Sequence, residues 1–163
     1  MKAKDLVLLA FLSAILLVGQ VTLAFLPNVE VVSFLIILYT ITYRKKVLYI
    51  IYCFALLEGL IYGFGIWWVM YLYVWTILAG ITTIFRNNDS TILWAIISGA
   101  FGLIFGALCS IPYFIVGGWA MGFSYWVAGI PFDLIHCVSN AAVMLILYKP
   151  CSKILKSAHL SIN

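Results

Sequence analysis

The sequence predicts an all-α integral membrane protein, a compact bundle of six transmembrane helices with both termini in the cytoplasm. Composition, the spacing of apolar segments and the placement of basic residues predict this fold class. Of the 163 residues, 66% are hydrophobic and 9% are charged, whereas soluble domains have roughly 45–50% apolar and about 25% charged residues. Six spans use about 120 residues, so we expect residues 1–163 to form a single membrane domain without a separate ATPase, kinase or nucleic-acid-binding module.

Breaks in the hydropathy divide the chain into six segments, predicted at approximately 6–26, 31–43, 47–64, 67–85, 92–116 and 124–148. The breaks contain proline, glycine, charged or amide residues, at positions 27–28, 44–46, 63–65, 86–90 and 117–118. An unsatisfied backbone group in lipid costs several kcal/mol, and no alternating pattern of barrel strands is present, so the segments are predicted to be helices.

The basic residues predict the orientation. With six spans, all nine fall on one side of the membrane: Lys2, Lys4, Arg44, Lys45, Lys46, Arg86, Lys149, Lys153 and Lys156. The other three loops carry none. Because loops rich in lysine and arginine stay inside, both termini are predicted to be cytoplasmic.

Enzyme motifs are absent from the sequence. There is no phosphate-binding Gly-x-x-x-x-Gly-Lys-Ser/Thr loop, no HExxH and no Gly-x-Ser-x-Gly, so neither ATP hydrolysis nor an intramembrane hydrolase is predicted. The four cysteines form no CxxC pair, and they predict neither a disulfide framework nor a metal site. We therefore expect no enzymatic activity, no metal and no cofactor.

Segment six contains the most informative stripe of polar residues. Trp126, Gly129, Asp133, His136 and Asn140 follow at steps of three and four, which places them on one helical face. An acid at mid-bilayer costs about 2.5–3.5 kcal/mol on insertion scales, so it pairs internally or serves a function. This stripe is interpreted either as part of a ligand site or as an internal network, in which Asp133 orients His136 and Asn140 contacts a neighbouring helix.

Segments three and four supply further candidates. Glu58 is a second intramembrane acid, one turn from Tyr62, and Trp68, Tyr71 and Trp75 share a face of segment four. Most tryptophans lie toward the outer ends of segments, which favours an aromatic pocket open to the outside. The alternatives are packing between helices and an interfacial aromatic belt. Glu30, in the first outer loop, is expected to be solvated.

Small residues at four-residue spacing indicate close helix contacts. Gly102 and Gly106 form such a pair in segment five, with Gly99 nearby, and packing within the chain explains them. Ala10 and Ala14 form another pair in segment one, where the surface is available for docking to a second membrane protein.

The chain resembles the S components, the substrate-binding membrane subunits of energy-coupling factor (ECF) vitamin transporters. The resemblance covers the whole chain in size and layout. It is carried locally by AFLSA at residues 10–14 and by GIPFDLIH at residues 129–136, running on to Asn140. It implies that Ala10 and Ala14 contact a transmembrane coupling subunit, that two cytoplasmic ATPases power the complex, and that the protein lies in the bacterial cytoplasmic membrane.

The resemblance also implies a vitamin or related micronutrient as ligand, bound near the outer face by helices four to six and the outer loops. With the aromatic faces and two acids, it suggests a planar heterocycle with a donor or positive group. Two other classes stay open: a membrane enzyme or redox subunit using Glu58, Asp133 and His136 as metal or proton-transfer groups, and a structural bundle.

Overall fold

The computed structural model describes residues 3–162, with side chains for residues 3–158, so Lys2 lies outside the described part. The elements are α1 (Ala3–Leu23), α2 (Val32–Tyr43), a 3-10 turn (Arg44–Lys46), α3 (Val47–Tyr62), α4 (Ile66–Phe85) and α5 (Thr91–Ile162). Over the described residues there is no strand, and the all-α class is confirmed. Three helices, α1, α4 and α5, are long and apolar enough to cross a membrane.

Helix α5 is folded into two antiparallel arms. Its 72 residues are helical except at Gly118 (φ 71°, ψ −170°), a conformation that favours glycine because a Cβ clashes there. The first arm covers residues 91–117 and the second residues 119–162. The predicted break between segments five and six is thus a single non-helical residue. The second arm continues through Pro131 and extends past residue 148 to Ile162.

The two arms touch through glycines of the first arm. A Cβ on Gly102 would lie 2.8 Å from the backbone carbonyl carbon and oxygen of His136, and one on Gly99 would lie 3.2 Å from the Cys137 oxygen. A Cβ on Gly106 would overlap the Asp133 carboxylate. The predicted close contact of segment five is confirmed, and its partner is the second arm of the same helix.

Helix α2 lies at the centre of the bundle, packed against α4 and α5. Nine of its 12 residues are buried. A helix of this length extends about 18 Å at 1.5 Å per residue, whereas the hydrocarbon core is about 30 Å thick. Helix α2 is therefore shorter than the hydrocarbon core is thick, and residues 24–31 connect it to the longer α1.

Helix α1 packs on α3 through one face and leaves the opposite face open. Its buried residues are Leu9, Leu12, Ser13 and Leu16. The Ser13 hydroxyl lies 3.3 Å from the Ile50 carbonyl of α3, to which it donates. Ala10 and Ala14 are both exposed, so the predicted docking pair lies on the unpacked face of α1.

Charged side chains meet at the end of the bundle opposite residues 24–31. Lys46 lies 3.4 Å from Asp5, and Lys149 lies 2.9 Å from Asp89. The hydrogen bond from Lys149 is the main reason that the pKa of Asp89 is lowered. Because Lys46, Lys149 and Asp89 are largely exposed, the pairs add little stability. The first pair connects the start of α1 with the 3-10 turn, and the second connects the 86–90 loop with the second arm of α5.

We predict that Gly102→Ala destabilises the protein whereas Gly80→Ala does not. The added methyl at Gly102 meets backbone of the second arm, and such overpacking costs about 1–3 kcal/mol. Gly80 is an exposed helical glycine whose Cβ would meet nothing within 4 Å, so alanine there gains about 0.5–1 kcal/mol of helix propensity. Thermal unfolding of both variants in one detergent measures the difference. Equal melting temperatures would contradict the close contact.

Candidate functional site

A buried contact between a carboxylate and an imidazole joins the loop before α2 to the second arm of α5. Glu30 Oε1 lies 3.1 Å from His136 Nε2, and the two residues are 9% and 3% exposed. Glu30 Oε2 accepts a 2.8 Å hydrogen bond from the Ser33 amide, an N–H at the start of α2 that no helical carbonyl satisfies. The expectation that Glu30 is solvated is wrong, because its carboxylate caps α2 and holds the imidazole.

The electrostatics of Glu30 follow from these partners. Burial raises the pKa of the carboxyl, but the hydrogen bond and charge of His136 and the bonds from Ser33 lower it further than burial raises it. The net pKa lies below the ordinary value of 4.5. Glu30 is therefore ionised at neutral pH although it is buried, since charge-assisted hydrogen bonds stabilise the carboxylate.

A second hydrogen bond fastens the same loop to α5. The Ser139 hydroxyl donates to the Asn28 carbonyl at 2.7 Å, one turn along from His136. Asn28 adopts φ 57°, a left-handed conformation that asparagine tolerates better than most residues. Residues 24–31 are thus held against the second arm at two neighbouring points.

A cavity of about 230 Å³ lies between this loop and a row of aromatic rings. Consecutive ring centroids are 5.4 Å apart for Tyr71 and Trp75, 5.6 Å for Trp75 and Phe105, and 4.9 Å for Phe105 and His136. The loop and the end of α1 complete the lining with Gln20, Leu23, Ala24, Leu26, Pro27, Asn28, Val29 and Glu30. This first cavity combines aromatic walls with a few polar groups, as small-molecule sites do.

A second cavity of about 370 Å³ adjoins the first and shares Asn28 and Phe105 with it. Its acidic residue is Asp133, whose Oδ1 accepts a 2.9 Å hydrogen bond from the Gly106 amide. The other carboxylate oxygen, Oδ2, is buried without a hydrogen-bond partner. The remaining lining residues are Gly106, Cys109, Tyr125, Ala128, Gly129 and Phe132.

Five predicted site residues line these two cavities: Tyr71, Trp75 and His136 the first, and Gly129 and Asp133 the second. The predicted internal network, in which Asp133 orients His136, is only partly present. Glu30, rather than Asp133, holds His136.

The other predicted residues lie away from the cavities. Asn140 is buried deeper in the bundle, with Nδ2 3.4 Å from the Ser98 carbonyl. Trp68 donates to the Ala55 carbonyl of α3 at 2.8 Å. Trp126 packs on Phe123 and is 37% exposed.

Helix α3 carries the last two candidates. Glu58 is buried and its Oε1 has no hydrogen-bond partner, whereas Tyr62 is half exposed. Neither residue lines the two cavities. Glu58 does lie within electrostatic range of the Tyr71 hydroxyl, so it borders the aromatic wall from the side of α3.

Sequence reasoning missed Glu30 and Phe105 as site residues. Glu30 looks like an ordinary loop acid, because its partner is 106 residues away and no local pattern connects them. The sequence offers one indication for Phe105: it directly precedes Gly106, which the glycine pattern predicts to be a helix contact. In the row of rings, Trp67 rather than Trp68 packs on Tyr71, at 5.3 Å.

Among the described side chains, no group of three or more His, Cys, Asp or Glu is placed to hold a metal ion. The site therefore consists of two adjoining cavities, one paired acid, one acid with an unpaired oxygen, and aromatic walls. Fold and site define a protein that is all-helical over the described residues, with helices long and apolar enough to span a membrane and with a polar interior site. Comparison with known protein families, with characterised proteins and with solved structures gives no significant match.

We predict that Glu30→Gln lowers the melting temperature at neutral pH, because a hydrogen bond to a charged group contributes about 1.5–3 kcal/mol. The effect depends on pH with a definite sign. Since the folded pKa of Glu30 is below 4.5, its stabilisation is complete above that value and is lost as pH falls through the folded pKa. Melting curves from about pH 3 to about pH 6 should show the difference from the unmodified protein shrinking at the acid end.

The control for this prediction is Asp89→Asn, which removes a 62% exposed carboxylate and should change the melting temperature little. A Glu30→Gln difference that stayed constant or grew toward acid pH would contradict a stabilising role for the Glu30 carboxylate.

Proposed function

We propose that this protein is the substrate-binding subunit, the S component, of an ECF-type importer in the bacterial cytoplasmic membrane. It captures a vitamin or related micronutrient at the outer face and delivers it inward. The observation that carries the proposal is the first cavity, with walls formed by Tyr71, Trp75 and Phe105 and with the Glu30–His136 pair on its lining. The resemblance at residues 10–14 and 129–140 supports the same function.

The arrangement of the helices supports a six-span layout. Because α5 reverses at Gly118, the chain has six helical segments. The start of α1, the 3-10 turn, the 86–90 loop and the end of α5 then share one end, where the described lysines and arginines are exposed. The positive-inside rule assigns this end to the cytoplasm. Residues 24–31 and the first cavity then lie toward the outer face, where a substrate arrives.

The chain's partners in this proposal are a transmembrane coupling subunit and two cytoplasmic ATPases, which supply the energy. Ala10 and Ala14 are exposed on α1, on the face away from α3. Small residues let a second helix approach closely in a membrane. This face is the proposed contact with the coupling subunit.

We predict that native mass spectrometry of the detergent-purified protein detects a small molecule bound at about one-to-one, and that Trp75→Phe weakens its binding. Loss of the indole costs about 1.4 kcal/mol, or about tenfold in affinity. Trp119→Leu is the matched control, since Trp119 is 83% exposed and lines neither cavity. A protein that is isolated empty and without a coupling subunit favours the structural bundle, and turnover of a substrate favours the enzyme.

We predict that Ala10→Leu combined with Ala14→Leu reduces recovery of the coupling subunit about tenfold, because bulky side chains prevent close helix approach. Ligand binding should be unchanged, since neither alanine lines a cavity. Ala100→Leu, at an exposed alanine of α5, is the matched control and should retain the partner. Equal recovery from both variants would place the coupling subunit elsewhere.

A further inference from the structure

We infer that the second cavity binds a positively charged organic group of the substrate, an ammonium or an amidinium, with Asp133 as its counter-charge. The inference rests on the proposed function and adds the chemical class of the ligand. It is carried by the charge balance of the interior, by the fixed position of Asp133 and by the aromatic walls.

The bundle interior holds more acidic residues than basic ones. Three acidic residues are buried, Glu30, Glu58 and Asp133, and His136 is the one basic residue among the buried polar residues of the described part. Every described lysine and arginine is exposed. Since Glu30 takes the imidazole, Asp133 has no cationic partner within hydrogen-bond distance in the described part of the chain. Ionising a buried carboxyl without a cationic partner is costly, and a bound cation supplies that partner.

Asp133 is held in place before any ligand arrives. The residue is 5% exposed, its Oδ1 accepts the Gly106 amide at 2.9 Å, and Oδ2 has no partner. The Gly106 amide is available because glycine leaves room for the carboxylate, which a Cβ would overlap. One oxygen therefore anchors the side chain while the other keeps its capacity for a donor.

The walls of the second cavity suit an organic cation. Phe105, Tyr125 and Phe132 line it together with Asp133, and aromatic faces attract cations by about 0.5–2 kcal/mol each. Tyr125 is fixed by stacking on Tyr113 at 4.1 Å between centroids. A bare metal ion is a poor fit, because Ca²⁺ or Mg²⁺ requires about six oxygen ligands and the lining side chains offer one carboxylate.

The two cavities are placed to hold one ligand. They share Phe105 and Asn28, and Asp133 and His136 are three residues apart on one helix, about 4.5 Å along its axis. A planar ring against Trp75 in the first cavity can thus carry its cationic group into the second. Glu30 is hydrogen-bonded to His136 and to the Ser33 amide, whereas Asp133 keeps an oxygen without a partner, so charge selectivity is assigned to Asp133.

The test uses the full-length protein in nanodiscs with two probes of equal size, benzamidinium and neutral benzamide, titrated by calorimetry. We expect benzamidinium to bind at least about tenfold more tightly than benzamide, and this preference to be lost in Asp133→Asn, because an interaction with a charged group contributes about 1.4 kcal/mol or more. Asparagine keeps an oxygen for the Gly106 amide, so the variant retains the anchoring contact.

A second variant tests the cavity without changing its charge. Gly129 lines the cavity and its Cβ would meet nothing within 4 Å, so Gly129→Leu fills the space and should abolish benzamidinium binding. Gly80→Leu is the matched control, since Gly80 has equal room and lies outside both cavities. Equal affinity for the two probes, or a preference that survives in Asp133→Asn, overturns the inference.

The outcomes separate this inference from the proposed function. A co-purified ligand that is neutral or anionic overturns the cation site and leaves the transport proposal intact. A cation preference that depends on Asp133, in a protein that never associates with a coupling subunit, supports the cation site and overturns the transport proposal.

Discussion

The close approach of the two arms of α5 is the contact on which the rest of the site depends. Gly118 permits the chain to reverse, and Gly102 and Gly106 let the arms come within van der Waals distance. That distance brings the Gly106 amide to Asp133 and the Phe105 ring to His136. Packed helices have little freedom to shift without creating voids or overlaps, so the second arm presents its polar face at a fixed depth in the bundle.

The short central helix imposes a second constraint, which Glu30 resolves. Helix α2 begins at Val32 inside the bundle, where an unpaired amide is costly. One oxygen of Glu30 satisfies the Ser33 amide and the other binds His136. The same carboxylate therefore supports a helix terminus, orients an imidazole and holds the loop that lines the first cavity. The start of α2 and the first cavity therefore depend on the same side chain.

Each apolar segment predicted from the sequence corresponds to a helical segment, because most segments end at a local signal such as the glycines at 117–118 or the charges at 86–90, but segment six was predicted to end at 148 and its helix runs on to Ile162. The three-four spacing also placed Asp133, His136 and Asn140 correctly on one buried face. Periodicity identifies a face but not its partner. It could not connect Glu30 with His136, nor distinguish Trp67 from Trp68 as the ring that packs on Tyr71. Those relationships depend on how the helices pack.

The two acids of the site differ in a way that bears on their use. The Glu30 carboxylate is hydrogen-bonded to His136 and to the Ser33 amide. An acid with such partners mainly stabilises the structure. Asp133 keeps one oxygen unpaired in an apolar bundle, although asparagine would make the same bond to Gly106 at lower desolvation cost. Intramembrane acids are retained where they act on a substrate or an ion. In the proposed transporter, the paired acid fixes the loop that lines the first cavity, and the unpaired acid of the second cavity is the proposed counter-charge for the ligand.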